Sequence, residues 1–155
     1  MPENEISPEG KAEAEAELKH RTEVRRPEIV AAIKVAREFG DLKENAEYHA
    51  AREEQGHNEA RIRVLEHHLA TATVLESAGT DDGSVGVGSK VSYRDTAADK
   101  VSEVTLVHPL EADVAAGKLS SESPVGLALR GSSPGDKVEL ETARGSKQLE
   151  ILSVD

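Results

Sequence analysis

Two carboxylates, Asp41 and Glu44, stand three residues apart in the stretch Gly40 to Gln55, GDLKENAEYHAAREEQ. On a helix that spacing projects both from one face. Two chemistries suit the pair. The first is structural: Asp-x-x-Glu is a capping box, with Asp41 as N-cap and Glu44 reaching back, and acidic groups suit the positive end of a helix dipole. The second is ligation of a hard divalent cation. Magnesium commonly takes one or two carboxylates and fills its other positions with phosphate oxygens and water. Two acids on a protruding turn cannot form a closed cage, but they could complete a site whose other ligands come from a partner. One carboxylate can cap while the other ligates, so both readings stay open.

The elements on either side must position this stretch. Lys11 to Glu23 is Ala, Glu and Lys, strong helix formers. Leu18, Thr22, Arg25, Ile29, Ala32, Ala36 and Phe39 then recur at steps of four and three, the spacing of a coiled-coil seam, with Ile33 widening the stripe. Pro27 removes a backbone donor and predicts a kink or break near Glu23 to Arg26. Gly40 is a natural stop. Beyond the turn Tyr48, Ala51, Gln55, Asn58, Ile62, Leu65, Leu69 and Ala72 repeat at three and four. Two helices joined by so short a turn must run antiparallel. Thirty helical residues span roughly 45 Å, so residues 1–75 read as a rod with an acidic tip at 40–47. Met1 to Glu9 reads as frayed. Phe39 and Tyr48 bracket the tip and are expected to pack on each other and close it.

Residues 76–85 read as a linker, and Glu76 to Gly88 has the composition of one. Beyond it the periodicity changes. Lys90 to Arg94, Val101 to Val107, Lys137 to Thr142 and Gln148 to Val154 read as strands. Ser123 to Arg130 reads as a short helix with Pro124 in its first turn, and Ser133 to Asp136 as a turn. Residues 86–155 therefore form a small α+β domain.

Charged residues make up 32% of the chain and aromatics 2%, too polar for one large core. Without cysteine, disulfides and thiolate chemistry are excluded. No signal-peptide core or membrane-length apolar run is present, which makes a cytoplasmic protein the expectation. Net charge is −11, and both halves share it, with 11 Lys+Arg against 16 Asp+Glu in residues 1–75. Such a chain does not bind bulk nucleic acid by counterion release. Contact with nucleic acid has to be local or go through a partner with a basic surface.

The segment VRRPEIVAAIKVAREFGDLKENAEYHAAREEQGHNEARIRVLE, Val24 to Glu66, closely resembles the GreA-type bacterial transcript-cleavage factors, and GDLKENAEYHAAREEQ is a long and specific signature. SPVGLALRGSSPGDKVEL, Ser123 to Leu140, resembles a segment that closes the same family's C-terminal domain. The resemblance implies an N-terminal antiparallel coiled-coil hairpin followed by a domain similar to FKBP. It implies that the C-terminal domain docks at the rim of the RNA polymerase secondary channel while the coiled coil threads it. The tip acids, matching Asp41 and Glu44, would help hold a second Mg2+ jointly with RNA polymerase and orient the attacking water. The polymerase's own metal site would then hydrolyse the backtracked nascent RNA near its 3′ end. Arg37 and Arg52 fall where basic residues of the family contact the 3′-proximal RNA.

The remaining residues carry alternatives. Arg37 and Arg52 could instead be solvated, pairing with Glu38, Glu53 or Glu54. Tyr48 could contact the backtracked base or polymerase, and Asn45 could cap a helix or touch the active-site loop. Arg25 and Arg26 read as surface charge. His49, His57, His67 and His68 read as a solvated face: no histidine pair has the i, i+4 spacing of a helical zinc site, and Glu53 with His57 is a lone pair. Asp113, Glu122, Asp136 and Glu139 could face a basic element of polymerase. Rival functions are a homologue that occupies the same channel as an inhibitor or competitor, a prolyl isomerase, and a dimeric coiled-coil adaptor. The intact DLKE tip argues against the first. A domain with only Tyr93 for an aromatic-lined cleft argues against the second. A hairpin that satisfies its own seam as a monomer argues against the third.

Overall fold

The computed structural model describes residues 4–80 and 82–155. They form two compact units, residues 11–71 and residues 4–10 with 72–155.

The first unit is a helical hairpin. Its first arm is α1 (Pro8–His20) and α2 (Arg26–Arg37), joined by a π-turn at Arg21–Arg25 in which the Arg26 N–H donates to Arg21 O. Pro27 is the cause to hand. It has no N–H to offer the Glu23 carbonyl, so the α-ladder is interrupted where the sequence places it, and the chain keeps winding through a wider turn instead of breaking. The second arm is α3 (Ala46–Thr71). Cross-arm bonds link Glu17 to Arg61, Arg21 to Asn58, Arg25 to Glu54 and Asn45 to Ala36. Partners rise in one arm as they fall in the other, so the arms run antiparallel.

The α3 seam is as its spacing predicts. Ala51, Asn58, Ile62 and Leu65 are buried, and Tyr48, Gln55 and Leu69 are half-buried. On α2 the stripe differs by one position: Ile29, Ile33 and Ala36 are buried and Ala32 is exposed. Relative to Ile29, residue 33 lies about 40° round the helix and residue 32 about 60° the other way. The larger side chain also lies nearer the seam line. Asn58 is accommodated because its amide donates to Arg21 O (3.2 Å) and accepts from Arg21 Nη1 (3.1 Å).

The second unit is built on a five-stranded sheet. Its strands are β3 (Lys90–Asp95), β4 (Lys100–Val107), β5 (Lys118–Ser120), β6 (Lys137–Thr142) and β7 (Gly145–Val154), in the order β5-β4-β3-β7-β6. The β4–β5 pair is parallel and the others antiparallel. Helix α4 (Pro124–Leu129) is capped by Ser123, whose hydroxyl accepts the Gly126 N–H, and has Pro124 in its first turn. Val85, Val91, Leu106, Leu129, Leu149 and Ile151 form the core, and Tyr93 packs against it. The fold class is α+β, as expected.

Two expectations need correction. The start of the chain is not frayed from Asn4 onward; Met1 to Glu3 lie outside the described residues. Strand β1 (Glu5–Ile6) pairs in parallel with β2 (Thr73–Val74), and Ile6 is fully buried. Ser7 then starts α1: its hydroxyl accepts the Gly10 N–H at 3.0 Å, while Glu111 accepts from the Ser7 N–H and hydroxyl. Nor does the linker-like composition of Glu76 to Gly88 mark a free tether. Val85 and Val87 are buried, and the Val85 N–H and C=O pair with Ser132 and Gly131. Apolar side chains at these two positions outweigh the Gly and Ser around them. Among the described residues, no helix is long and apolar enough to cross a membrane.

Candidate functional site

Helix α2 ends at Arg37, and the N–H groups of Glu38, Phe39 and Gly40 close back on the carbonyls of Val35, Ala36 and Arg37. Gly40 has φ +105°, a conformation side-chain-bearing residues avoid. Residues 41–45 are irregular, and α3 begins at Ala46. Asp41 and Glu44 therefore do not share a helical face.

Nor is Asp41 the helix cap. Asn45 is: its Oδ1 accepts the Tyr48 N–H at 3.0 Å, and its Nδ2 donates to Ala36 O at 2.6 Å on the other arm. An aspartate offers no such second donor, which is the physical reason the cap falls four residues later than the Asp-x-x-Glu box suggests. Asp41 instead makes an Asx-type turn, its Oδ1 accepting the Lys43 N–H at 3.0 Å. His49, one turn into α3, places Nε2 3.1 Å from Lys43 O. Nothing in the spacing of the histidines signals that contact, because it joins a helix to a loop of irregular path.

The loop presents both acids to solvent. Asp41 and Glu44 are exposed and line one shallow depression with Phe39, Asn45, Ala46 and Glu47. Among the described residues neither is ion-paired, and the Glu44 carboxylate accepts no hydrogen bond. No group of three Asp, Glu, His or Cys among the described residues is placed to hold a metal. The pair is thus an open, partial donor set of hard oxygens, able to fill some positions of a magnesium shell and not all of them.

The aromatics do not close the tip together. Phe39 is 69% exposed at the rim of the depression. Tyr48 packs on the cluster of Ile29, Ile33 and Ala51, with the Arg37 guanidinium 5.9 Å from its ring centroid and the His49 ring edge-on at 5.6 Å. Arg37 is therefore held against an aromatic face and makes none of the carboxylate pairings considered for it. Arg52 is exposed and donates to Gln55 Oε1 at 3.0 Å, not to Glu38, Glu53 or Glu54.

Behind the tip the arms are laced by charge. Arg26 grips Glu59 with two bonds, Arg25 reaches Glu54, and Glu17 accepts from both Arg61 and Arg21. Arg25 and Arg26 are thus cross-arm partners and not idle surface charge. The Arg61 bonds, reinforced by Arg21 and opposed by partial burial, hold the Glu17 carboxyl down at about 2. In the second unit Asp113, Glu122, Asp136 and Glu139 are all exposed. The Asp136 carboxylate closes its own turn by accepting the Ser133 N–H at 2.8 Å.

The molecule is thus a helical hairpin with two exposed carboxylates at its turn, carried with a separate α+β unit. The family described as "Transcription elongation factor, N-terminal" matches residues 4–74, and "Transcription elongation factor, GreA/GreB, C-term" matches residues 80–155. The chain belongs to the GreA/GreB family of transcription elongation factors. It is similar to transcription elongation factor GreA of Psychrobacter arcticus, 45% identical over 96% of this chain and 95% of that one. It is also similar to GreA of Helicobacter hepaticus, 46% identical over 90% and 85%. The solved structure of GreA factor homolog 1 of Thermus thermophilus is 30% identical over 97% of each chain, with a TM-score of 0.45.

Proposed function

We propose that this elongation factor binds RNA polymerase, brings its hairpin turn to the active centre through the secondary channel, and stimulates the polymerase's cleavage of backtracked RNA. It is not itself the enzyme. The observation that carries this reading is the state of Asp41 and Glu44: two exposed carboxylates on one depression, neither ion-paired among the described residues.

Their chemistry divides. Asp41 has one oxygen committed to the Lys43 N–H, so the other is the one it can lend. Glu44 has both oxygens free to accept, and can hold a water by its protons while the water attacks phosphorus. Magnesium shared between these carboxylates and polymerase ligands would supply stabilisation of the charge developing on the reacting oxygens. Arg52, exposed and bonded to a neutral amide, and Arg37, steadied over Tyr48, are cations available to phosphates of the RNA 3′ end. Tyr48 has its ring committed to the arm packing, so its contact with RNA or polymerase would be made at the hydroxyl edge. Asn45 has both ends of its amide engaged within the hairpin and acts by shaping the loop.

The test is a stalled, backtracked elongation complex with 3′-labelled RNA and magnesium. The parent should release short 3′ fragments. Asp41→Asn and Glu44→Gln should each lower that rate by about 10²-fold, the scale of losing one preorganised electrostatic group. Both variants should keep the parent's binding and melting temperature. A parent that binds polymerase and competes with a stimulating factor, yet releases nothing, would make this chain an inhibitor of the same channel.

A further inference from the structure

We propose that His49 is a positioning residue for the tip carboxylates: it clips the Lys43–Glu44 peptide to α3 and so sets where Glu44 and Asp41 point. The inference rests on the reading that those carboxylates act in cleavage.

The geometry is a short relay. His49 sits in the first turn of α3, a rigid element, and its Nε2 lies 3.1 Å from Lys43 O. A carbonyl oxygen brings no proton, so Nε2 must carry one. Both the neutral Nε2–H form and the imidazolium meet that demand. The charged groups nearest in the chain, Lys43, Glu44, Glu47, Arg52 and Glu53, are all exposed.

The atom that is gripped matters. Lys43 O belongs to the planar peptide that also carries the Glu44 N–H and ends on the Glu44 Cα. Fixing the oxygen fixes that plane, and with it the base from which the Glu44 side chain departs. The other side of the same residue is held too, because the Lys43 N–H donates to Asp41 Oδ1 at 3.0 Å. Lys43 is therefore pinned at both its N–H and its C=O, by Asp41 on one side and His49 on the other. Glu44 makes no hydrogen bond of its own among the described residues, so its orientation depends on the backbone beneath it. His49 is exposed, and its ring also lies edge-on to Tyr48 at 5.6 Å, a contact that Gln and Asn lose alike, so the difference between those two variants separates the clip from packing.

The substitutions follow from reach. Glutamine places an amide N–H near where Nε2 lies, asparagine one bond short of it, and alanine nothing. In the backtracked-complex assay His49→Ala should lower the cleavage rate at saturating factor by about tenfold, the scale of a sub-ångström misplacement of a reacting group. The half-saturating concentration and the melting temperature should stay at the parent's values. His49→Gln should recover most of the rate and His49→Asn little of it. In the free protein, amide hydrogen exchange at Lys43, whose N–H is bonded to Asp41, should quicken in His49→Ala and not in His49→Gln.

A full cleavage rate for His49→Ala, or equal rates for the Gln and Asn variants, overturns the inference. So does a defect confined to half-saturation, which would make His49 a polymerase contact. The failure of the underlying reading looks different: the parent itself, or Asp41→Asn and Glu44→Gln, would then show no change in cleavage whatever stands at position 49.

Discussion

The Nδ2 of Asn45 lies 2.6 Å from the carbonyl oxygen of Ala36, so one amide spans from the start of α3 to the end of α2. The same side chain caps α3 through its Oδ1. Two separable bonds on one residue give a graded prediction. Asn45→Asp keeps a capping oxygen and loses the cross-arm donor. Asn45→Ala loses both. Loss of a cap costs about 1 kcal/mol, and loss of a net hydrogen bond about another 1 kcal/mol. Thermal melts of the full chain should order the proteins as parent, then Asp, then Ala. An Asp variant as unstable as the Ala variant would show that the cross-arm bond, and not the cap, does the holding.

Glu17 makes the hairpin acid-sensitive in a defined window. Its carboxylate accepts from Arg61 Nε at 2.8 Å and Arg21 Nε at 2.7 Å, which lowers it from 4.5 to about 2. A group depressed in the folded state stabilises above its unfolded value and loses that contribution as pH falls through the folded one. Glu17→Gln should therefore be less stable than the parent at neutral pH, by about 1 kcal/mol once solvent screening of a one-third-exposed side chain is allowed for. The gap should close between pH 4.5 and about 2. Helical ellipticity followed against denaturant at several pH values reads it directly. A gap that persists unchanged at pH 2 would place the effect in packing.

Val85 tests the segment whose composition suggests a tether. It is fully buried beside Leu129 and Ile151, while the Asp82 carboxylate just before it is held down at about 2, chiefly by the Ser84 hydroxyl, then by Thr80. Val85→Ala should destabilise the second unit by about 2 kcal/mol through the cavity it leaves. Substitution of exposed Ser77 by alanine should change stability by less than about 0.5 kcal/mol. Urea unfolding monitored on Tyr93, which packs on this core, distinguishes the two.

What the sequence makes legible is what repeats. Ala51, Asn58, Ile62 and Leu65 follow from three-four spacing because each sits where the arm meets its partner every turn. The strands β3, β4, β6 and β7 follow from the change of periodicity after the hairpin, helped before β6 by the Ser133 to Asp136 turn. Short pieces escape. Two-residue strands such as Glu5–Ile6 are below the length at which any period shows, and only the isolated Ile6 among polar neighbours hints at burial. The tip escapes for another reason. Asp41 and Asn45 are both good caps, and the choice is made by a carbonyl on the opposite arm, Ala36 O, whose nearness is a product of the fold. Arg25 and Arg26 read as surface charge because their carboxylate partners lie on the other arm, 29 and 33 residues away.

Two glycines in helices should respond to alanine with opposite signs. Gly56 lies exposed in α3, and a Cβ there would meet nothing within 4 Å. With no clash to oppose it, the gain in helix propensity should appear nearly whole, at about 0.5 to 1 kcal/mol. Gly126 lies buried in α4, where the same propensity gain applies. There a Cβ would run into Ser120 O and lie 3.0 Å from Ser123 Oγ and 3.1 Å from the Ser121 carbonyl carbon. Two of those three atoms are backbone and cannot swing aside, and Ser123 is the cap that the Gly126 N–H itself uses. Overpacking of that kind costs about 1 to 3 kcal/mol, which exceeds the propensity gain. Urea unfolding should find Gly56→Ala more stable than the parent and Gly126→Ala less stable. A stabilised Gly126→Ala would mean that α4 shifts away from Ser120 at little cost, and that the contact with β5 is looser than its geometry shows.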